Sequence, residues 1–250
     1  MADDAPEPWL DPEGIPEPPW NARRKPSSRT PLTRDAIVEA ALRVLDAEGL
    51  DALSMRRVGD ELGAGAASIY WHVRNKDELL QLVFDRVMKE AELPPPDPAR
   101  WPEQLAAFAI QMRAVFGRHR DAARISLGRA PAAPTLAVLS EWLFTLLAPV
   151  GIPDQVIAYL GDLFGLYIGA FAFEEGMEVG PFATGGVPPG QFLENVKDYI
   201  RSLPEDRFPY TRKAADLLFS GGRDDRFAFG LDLMIRGLRT YAVTENEDSQ

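Results

Sequence analysis

Two short amphipathic segments joined by a corner of small residues constrain the fold of this chain more than any other feature. They lie in residues 53–78, LSMRRVGDELGAGAASIYWHVRNKDE. The first segment follows Ser54, a favoured helix N-cap, and ends at Gly63, which suits a left-handed helix stop. Its apolar residues share one helical face: Met55, Val58 and Leu62. The pattern predicts two helices that meet at a tight corner.

The corner and the second segment have the features of a helix-turn-helix DNA reader. Residues 64–67 have almost no side-chain bulk, so the second helix can pack closely and meet DNA with its N-terminal end. We predict this helix over residues 66–71, with Ile69 and Val73 facing the core. The side chains left to face outward are Ser68, Tyr70, Trp71 and His72. A solvated helical hairpin is the alternative, but a Tyr-Trp-His run beside Arg and Lys is unusual on such a surface.

A longer amphipathic helix completes a three-helix unit. It is predicted over residues 33–48, with Thr33 as N-cap and Gly49 as stop. Its apolar face contains Ile37, Ala40, Ala41, Val44 and Leu45. After the motif, Asn75 and Glu78 predict a capping box that opens a further helix.

This order of helices and caps resembles the tetracycline-repressor (TetR) family of bacterial transcription factors. The matching residues are 32–80, LTRDAIVEAALRVLDAEGLDALSMRRVGDELGAGAASIYWHVRNKDELL. The resemblance implies an all-α protein with an N-terminal helix-turn-helix domain and a C-terminal helical domain for ligand binding and dimerisation. It also implies double-stranded operator DNA as a partner. The side chains expected to contact DNA are Arg56, Ala66, Ala67, Ser68, Tyr70, Trp71, His72 and Lys76.

The residue types suggest different roles at the DNA. Arg56 is the best candidate base reader, because a guanidinium can pair bidentately with guanine. The two alanines at 66 and 67 suit a thymine methyl group, whereas Tyr70, His72 and Lys76 suit phosphates. Each single assignment has a structural alternative: His72 can brace the helix end, and Trp71 can be half-buried.

The charge of the chain is unusual for a DNA-binding protein. The formal net charge is −11 at pH 7. The distribution of charge matters more than the sum. Residues 54–76 contain four basic and two acidic side chains, and residues 23–29 add four basic ones without an acid. An acidic body elsewhere is expected to keep non-specific DNA affinity modest.

Composition also limits the class of protein. There is no cysteine, so disulfide and thiolate chemistry are excluded. We find no apolar run of the roughly 20 residues that a membrane helix needs, because the stretch 163–173 is short and is interrupted by Gly165 and Gly169. The acidic, proline-rich N-terminus does not resemble a secretory signal. We therefore expect a cytoplasmic protein without a membrane span.

Proline and charge patterns divide the chain. We predict a disordered extension at 1–31, a DNA-binding domain at 32–93, a helical ligand-binding and dimerisation domain at 97–243, and a disordered tail at 244–250. The basic stretch Arg23–Arg29 is either a minor-groove arm or a solvated linker. Helices of the second domain are predicted near 101–118, 121–127, 133–148, 153–176, 189–202, 210–220 and 224–243. A mobile loop is expected at 176–189, which is rich in Gly and Pro.

The second domain lacks the signatures of an enzyme. The chain has two histidines, His72 and His119, and no phosphate-binding glycine loop. Glu174 and Glu175 are adjacent on a predicted helix, so they point about 100° apart and do not share a site. Clustered aromatic and Met side chains indicate an apolar receptor instead, with core packing as the alternative. The candidate ligand-binding residues are Phe108, Met112, Phe116, Ser126, Trp142, Leu147, Phe171 and Glu174.

The family resemblance extends into this domain. Residues 101–131, which include RAVFGRHRDAARISLGRAP, look like the ligand-binding domain of the tetracycline repressors themselves. Those repressors bind a magnesium–drug chelate through histidines. This chain has Ser126 where the metal-binding histidine falls and Glu92 near the drug-binding one. The departures imply a small-molecule effector without a metal, and we expect no cofactor.

The resemblance also implies a homodimer. Similar repressors dimerise through a four-helix bundle. The predicted interface residues on the helix at 153–176 are Val156, Leu160, Leu163, Tyr167 and Ala170. Those on the helix at 224–243 are Phe227, Leu231, Met234, Ile235 and Leu238.

Together these features predict a homodimeric repressor that binds a palindromic operator and is released by a small, largely apolar effector. The rival interpretation is a small-molecule-binding or catalytic helical protein whose DNA-binding domain is vestigial.

Overall fold

Helices form all the regular secondary structure in the computed structural model, which describes residues 32–127, 133–176 and 187–242. Within those ranges there are eleven α-helices and no β-strand. The prediction of an all-α fold is confirmed. The predictions for the N-terminal extension at 1–31, for most of the loop at 176–189 and for the tail at 244–250 lie outside the described residues.

The N-terminal helices begin at the predicted caps. They are α1 (Arg34–Glu48), α2 (Met55–Glu61), α3 (Ala66–Tyr70) and α4 (Lys76–Met88). The Thr33 hydroxyl accepts a hydrogen bond from the Ala36 N–H, at 3.1 Å. The Ser54 hydroxyl accepts one from the Arg57 N–H, also at 3.1 Å. Each cap satisfies a backbone donor that the first helical turn leaves free.

The cap of α4 differs in one partner from the predicted capping box. The Asn75 side chain accepts from the Glu78 N–H at 2.8 Å, as expected. The Glu78 carboxylate does not return to the Asn75 N–H but accepts from the Arg74 N–H at 2.7 Å. It also pairs with Arg34 of α1 at 2.7 Å, and both side chains are buried. A buried carboxylate needs such a charged partner, so tertiary pairing determines the position of Glu78.

The next four helices surround the main core. They are α5 (Trp101–Arg118), α6 (Ala122–Leu127), α7 (Pro134–Leu147) and α8 (Asp154–Gly176). Their bounds agree with the predicted ones to within one residue. Helix α8 packs against α5, α6 and α7. The largest fully buried side chains of this region are Leu105, Met112, Trp142, Leu146, Leu147 and Ile157.

Helix α8 is more apolar than the sequence analysis expected. It has 23 residues and is long and apolar enough to cross a membrane. The expectation that no segment reaches that length is therefore wrong. A core helix of a soluble protein can have the same length and composition, and α8 packs against three other helices.

The last described helices are α9 (Pro189–Ser202), α10 (Pro209–Lys213) and α11 (Arg223–Arg239). Residues 187–234 belong to a second compact unit, whereas 32–176 and 235–242 belong to the first. The predicted single helix at 210–220 is wrong, because α10 stops at Lys213 and a 3-10 turn follows at Leu217–Phe219. The Ala215 N–H bonds to the Arg212 carbonyl, three residues back, which ends the α-helical pattern.

The predicted dimer faces are only partly exposed. On α8, Leu160 is buried, and the exposed large apolar side chains are Tyr159, Leu163 and Leu166. On α11, four of the five predicted interface residues are buried within the chain: Phe227, Leu231, Ile235 and Leu238. The exposed apolar residues of α11 are Phe229 and Leu233. The predicted face of α11 is therefore wrong, because those residues are already covered inside one subunit.

Candidate nucleic-acid interface and ligand cavity

The corner between α2 and α3 depends on a very close backbone contact. A Cβ atom at Gly59 would lie 2.7 Å from the Ala64 carbonyl oxygen and 3.3 Å from the Ala66 nitrogen. The Ala64 N–H donates to the Gly59 carbonyl at 2.8 Å. Gly63 then turns the chain with a φ of 61°, in the left-handed region. Gly59 is not among the residues predicted from the sequence, although a glycine inside a helical pattern is a known sign of close packing.

The second helix of the motif presents aromatic side chains to solvent. Ile69 and Val73 are fully buried, as predicted. Tyr70 and Trp71 are about half exposed, at 48% and 50%. Ala67 and Ser68 are exposed, and Ala66 and His72 are partly buried. Of the predicted DNA-contacting residues on α3 and just after it, Ala67, Ser68, Tyr70 and Trp71 are therefore exposed to solvent.

The basic side chains near the motif differ in availability. Hydrogen bonds to Glu48 and Glu61 hold Arg57 and raise its pKa. Arg74 is paired with Glu78. By contrast, the Arg56 side chain is 88% exposed, and its nearest carboxylate, that of Asp60, is 3.9 Å away.

The Lys76 side chain, predicted to contact a phosphate, is already hydrogen-bonded within the protein. Its ammonium donates to the Leu50 carbonyl at 3.3 Å, and the residue is partly buried. A contact between Lys76 and a phosphate would require this hydrogen bond to be exchanged. Among the predicted cations, Arg56 is therefore the one placed most freely for DNA.

A cavity of about 360 Å³ lies among helices α4 to α8. Its wall contains four of the predicted ligand residues, Phe108, Met112, Phe116 and Ser126. The other wall residues on α4 and α7 are Gln81, Phe84, Met88, Leu136, Leu139, Ser140 and Leu143. Helix α8 contributes residues between Ala158 and Ile168, including Asp162 and Phe164. The size and apolar lining are typical of a small-molecule site.

The other four predicted ligand residues are not among the described residues that line this cavity. Trp142 is fully buried behind Phe108, with ring centres 5.5 Å apart, and its indole N–H donates to the Pro94 carbonyl. Leu147 is fully buried core. Phe171 packs on Tyr167, at 4.9 Å between ring centres. For these residues, packing inside the chain is the better explanation.

The two neighbouring glutamates have different surroundings, as predicted, but neither lines the cavity. Glu174 is exposed and lies outside the cavity wall. Glu175 points elsewhere and pairs with Arg113 of α5, with its carboxylate oxygens 3.0 and 3.1 Å from Nε. This ion pair ties the end of α8 to α5.

Helix α4 contributes to the cavity wall, which was not predicted from the sequence. Phe84 and Met88 are four residues apart and share a face with Gln81. The spacing was visible in the sequence, but it does not reveal which partner the face meets. The structure shows that one helix follows the DNA-reading motif and also forms a wall of the cavity.

A polar junction joins the turn between α5 and α6 to the end of α1. The His119 ring lies between two carboxylates, with Nδ1 3.0 Å from Asp46 and Nε2 3.1 Å from Glu90. The Leu50 N–H donates to the Asp121 carboxylate at 2.8 Å. The turn that precedes cavity residue Ser126 is therefore fixed directly to the helix-turn-helix unit.

Comparison with protein families places these two sites in a known context. The family described as "Bacterial regulatory proteins, tetR family" matches residues 37–83. The family described as "Tetracyclin repressor-like, C-terminal domain" matches residues 93–242. The chain belongs to the TetR family. As a TetR-family protein it is a transcriptional regulator and not an enzyme.

Individual TetR-family proteins are similar over most of the chain. The HTH-type transcriptional repressor DrrR1 of Streptomyces coeruleorubidus is 31% identical over 234 residues, covering 92% of this chain and 86% of that protein. The class C tetracycline repressor of Escherichia coli is 26% identical, covering 86% and 94%. The crystal structure of Streptomyces coelicolor ActR with actinorhodin has 43% identity and a TM-score of 0.77, covering 86% of this chain and 98% of that one.

The residues present do not suggest a metal site. Within the described ranges, no group of three or more His, Cys, Asp or Glu side chains is arranged to hold an ion. Ser126, where tetracycline repressors have a metal-binding histidine, donates its hydroxyl to the Ala123 carbonyl. That the effector binds without metal stays a prediction.

Proposed function

We propose that this protein is a homodimeric transcriptional repressor that binds a palindromic operator and is released by a small, largely apolar effector. The observation that carries the proposal is the position of α4. The helix begins at Lys76, shortly after α3 ends at Tyr70, and its side chains Phe84 and Met88 line the cavity. A ligand that moves the cavity wall therefore acts on the helix next to the reading helix.

The polar junction gives the cavity a second connection to the DNA-binding motif. Helix α6 contributes Ser126 and Leu127 to the cavity wall. The turn before α6 contacts the end of α1 through His119 and Asp121. A ligand with different affinities for two arrangements of α4 and α6 would shift the dimer between DNA-competent and released states.

The similar proteins support both halves of the proposal. DrrR1 is a transcriptional repressor. ActR has been solved in complex with (S)-DNPA and with actinorhodin. By similarity, we infer that this chain represses transcription and responds to an organic small molecule.

Dimerisation is inferred from the exposed apolar side chains of α8. Tyr159, Leu163 and Leu166 recur at helical spacing and stay exposed in one subunit. A second copy related by two-fold symmetry would cover them. The same symmetry would place two α3 helices in successive major grooves, about 34–36 Å apart. Because bacterial operator DNA lies in the cytoplasm, we expect the protein to act there.

Selection of operators from random duplexes tests the proposal. The protein is expected to enrich a palindrome whose half-sites are one helical turn apart, at one fixed salt concentration. The alternative of a vestigial DNA-binding domain predicts no enrichment of any sequence. The variant Tyr70→Ala serves as a control that removes an exposed reading-helix side chain without emptying the core.

A further inference from the structure

The polar side chains of the cavity wall mostly offer hydrogen-bond acceptors to a ligand. The apolar wall is interrupted by four polar side chains, one on each of four helices: Gln81, Ser126, Ser140 and Asp162. A few placed polar groups in an apolar pocket determine which ligands fit. Their donor and acceptor character therefore defines the chemistry of the effector.

Both serines use their only hydrogen inside the protein. The Ser126 hydroxyl donates to the Ala123 carbonyl at 2.7 Å, and the Ser140 hydroxyl donates to the Leu136 carbonyl at 2.9 Å. A hydroxyl group has one hydrogen and two lone pairs. What remains for a ligand at each serine is an acceptor.

Asp162, which like Ser140 is exposed to solvent, is the third acceptor. An ionised carboxylate accepts hydrogen bonds and donates none. Among the described residues that line the cavity there is no Lys, Arg or His to balance it. A carboxylate on a ligand would meet no cation among these residues and would face a like charge. Gln81 is the single side chain of the four that offers N–H donors.

We propose that the cavity selects its effector by hydrogen-bond donors: it takes a compact aromatic molecule with hydroxyl or amino groups and rejects acids. This inference rests on the proposed function, since it describes the effector of the same cavity. The apolar part of the ligand meets four phenylalanine rings, Phe84, Phe108, Phe116 and Phe164, which suit a flat aromatic skeleton. The cavity volume of about 360 Å³ favours a compact ligand.

Two matched series of probes test the donor requirement on the full-length protein. Each series keeps one skeleton and changes the substituents: naphthalene-2,6-diol and biphenyl-4,4′-diol are compared with their dimethyl ethers and with the corresponding dicarboxylates. Dissociation constants are measured by calorimetry without DNA. We expect the diols to bind about tenfold more tightly than the ethers, because each ether lacks the donor that the wall acceptors need. The dicarboxylates are expected to bind weakest.

The variant Asp162→Asn tests whether the preference for hydrogen-bond donors depends on this side chain. The amide offers donors where the carboxylate accepts, so diol binding is expected to weaken about fivefold and dicarboxylate binding to improve. Glu141→Gln removes the same charge from an exposed residue of α7 outside the cavity wall and is expected to change neither. An unchanged probe order in Asp162→Asn would overturn the role of this residue.

Two blocking variants separate this inference from the proposed function. Met112→Trp fills the cavity, and Gly161→Leu does so from α8, where an added Cβ would be at an ordinary 3.6 Å from Leu143. If ethers bind as tightly as diols, or dicarboxylates bind most tightly, and both variants abolish that binding, the donor inference is wrong while the effector cavity stands. If no probe binds, or binding ignores both variants, the effector cavity and the donor inference fail together.

Discussion

At the scale of the residue, the basic side chains near the DNA-reading motif differ in the hydrogen bonds and ion pairs that they already make within the protein. Arg57 is bound by two carboxylates, and Lys76 is bonded to a backbone carbonyl. Arg56 is 88% exposed, and its contact with Asp60 is long, at 3.9 Å. Such an exposed ion pair contributes little, so Arg56 can leave it for a base at small cost.

Arg56→Ala is therefore expected to weaken operator binding by about 1–3 kcal/mol and to relax the preference at one base position. Operator and random DNA are compared by fluorescence anisotropy at one salt concentration. Equal weakening on both would make Arg56 a phosphate contact instead. Lys76→Ala is the matched variant, expected to weaken both DNAs about equally.

Gly59 is the residue on which the geometry of the corner depends. In Gly59→Ala the new Cβ meets the Ala64 carbonyl at 2.7 Å, and a backbone atom cannot move aside like a flexible side chain. We expect a loss of about 1–3 kcal/mol in the free energy of unfolding and weaker operator binding. Gly117→Ala in α5 is the control, because nothing lies within 4 Å of its added Cβ. That variant is expected to gain up to about 1 kcal/mol from helix propensity; equal effects at both positions would reject the close contact.

At the scale of the element, the first residue of each N-terminal helix could be predicted from the sequence. The residues against which a helix packs could not. Thr33, Ser54 and Asn75 cap their helices as predicted, because a cap is a local interaction between neighbouring residues. The covered face of α11 and the cavity face of α4 depend on packing against residues distant in sequence. Periodicity reveals an apolar face but does not identify what covers it.

The same limit explains the mixed result for the ligand residues. Phe108, Met112 and Phe116 share a face of α5 and do line the cavity. Trp142 also lies on an apolar helix, yet its ring packs behind that of Phe108. Its indole N–H donates to the Pro94 carbonyl. Whether a side chain lines the cavity or packs behind its wall depends on a small difference in position. No sequence pattern predicts that difference.

The polar junction between elements predicts a dependence of stability on pH. Burial raises the pKa of the Glu90 carboxyl, but hydrogen bonds from Arg118, His119 and Arg86 outweigh it and leave this pKa below the usual 4.5. A carboxylate with a lowered pKa in the folded state stabilises the fold above about pH 4.5, and this stabilisation disappears as the pH falls through the lowered pKa.

Glu90→Gln is accordingly expected to unfold more easily than the wild type at pH 7, by about 1 kcal/mol at this partly exposed site. The difference in free energy of unfolding is expected to shrink as both proteins are acidified below pH 4.5. Urea denaturation at a series of pH values measures it. Glu92→Gln, at a neighbouring exposed carboxylate, is the control. A difference that stays constant down to the acid limit would contradict the assigned pKa direction.

At the scale of the whole molecule, one unit contains both the DNA motif and the cavity. Helix α4 and the polar junction connect them inside that unit, which the sequence did not reveal. The family resemblance supplied the pairing of a DNA-binding and a ligand-binding part, and the structure supplies the physical contacts between the two. Occupancy of the cavity is therefore expected to control DNA binding.

Operator affinity of the wild type and of Met112→Trp, with and without biphenyl-4,4′-diol and in excess chelator, tests this claim most directly. For the wild type we predict at least a tenfold loss of operator affinity when the diol is added. For Met112→Trp we predict unchanged operator affinity and no response, because the indole fills the cavity while the reading helix is untouched. If Met112 were only core, the substitution would cost about 1–3 kcal/mol of stability. A lower melting temperature together with a normal response to the diol would contradict the account.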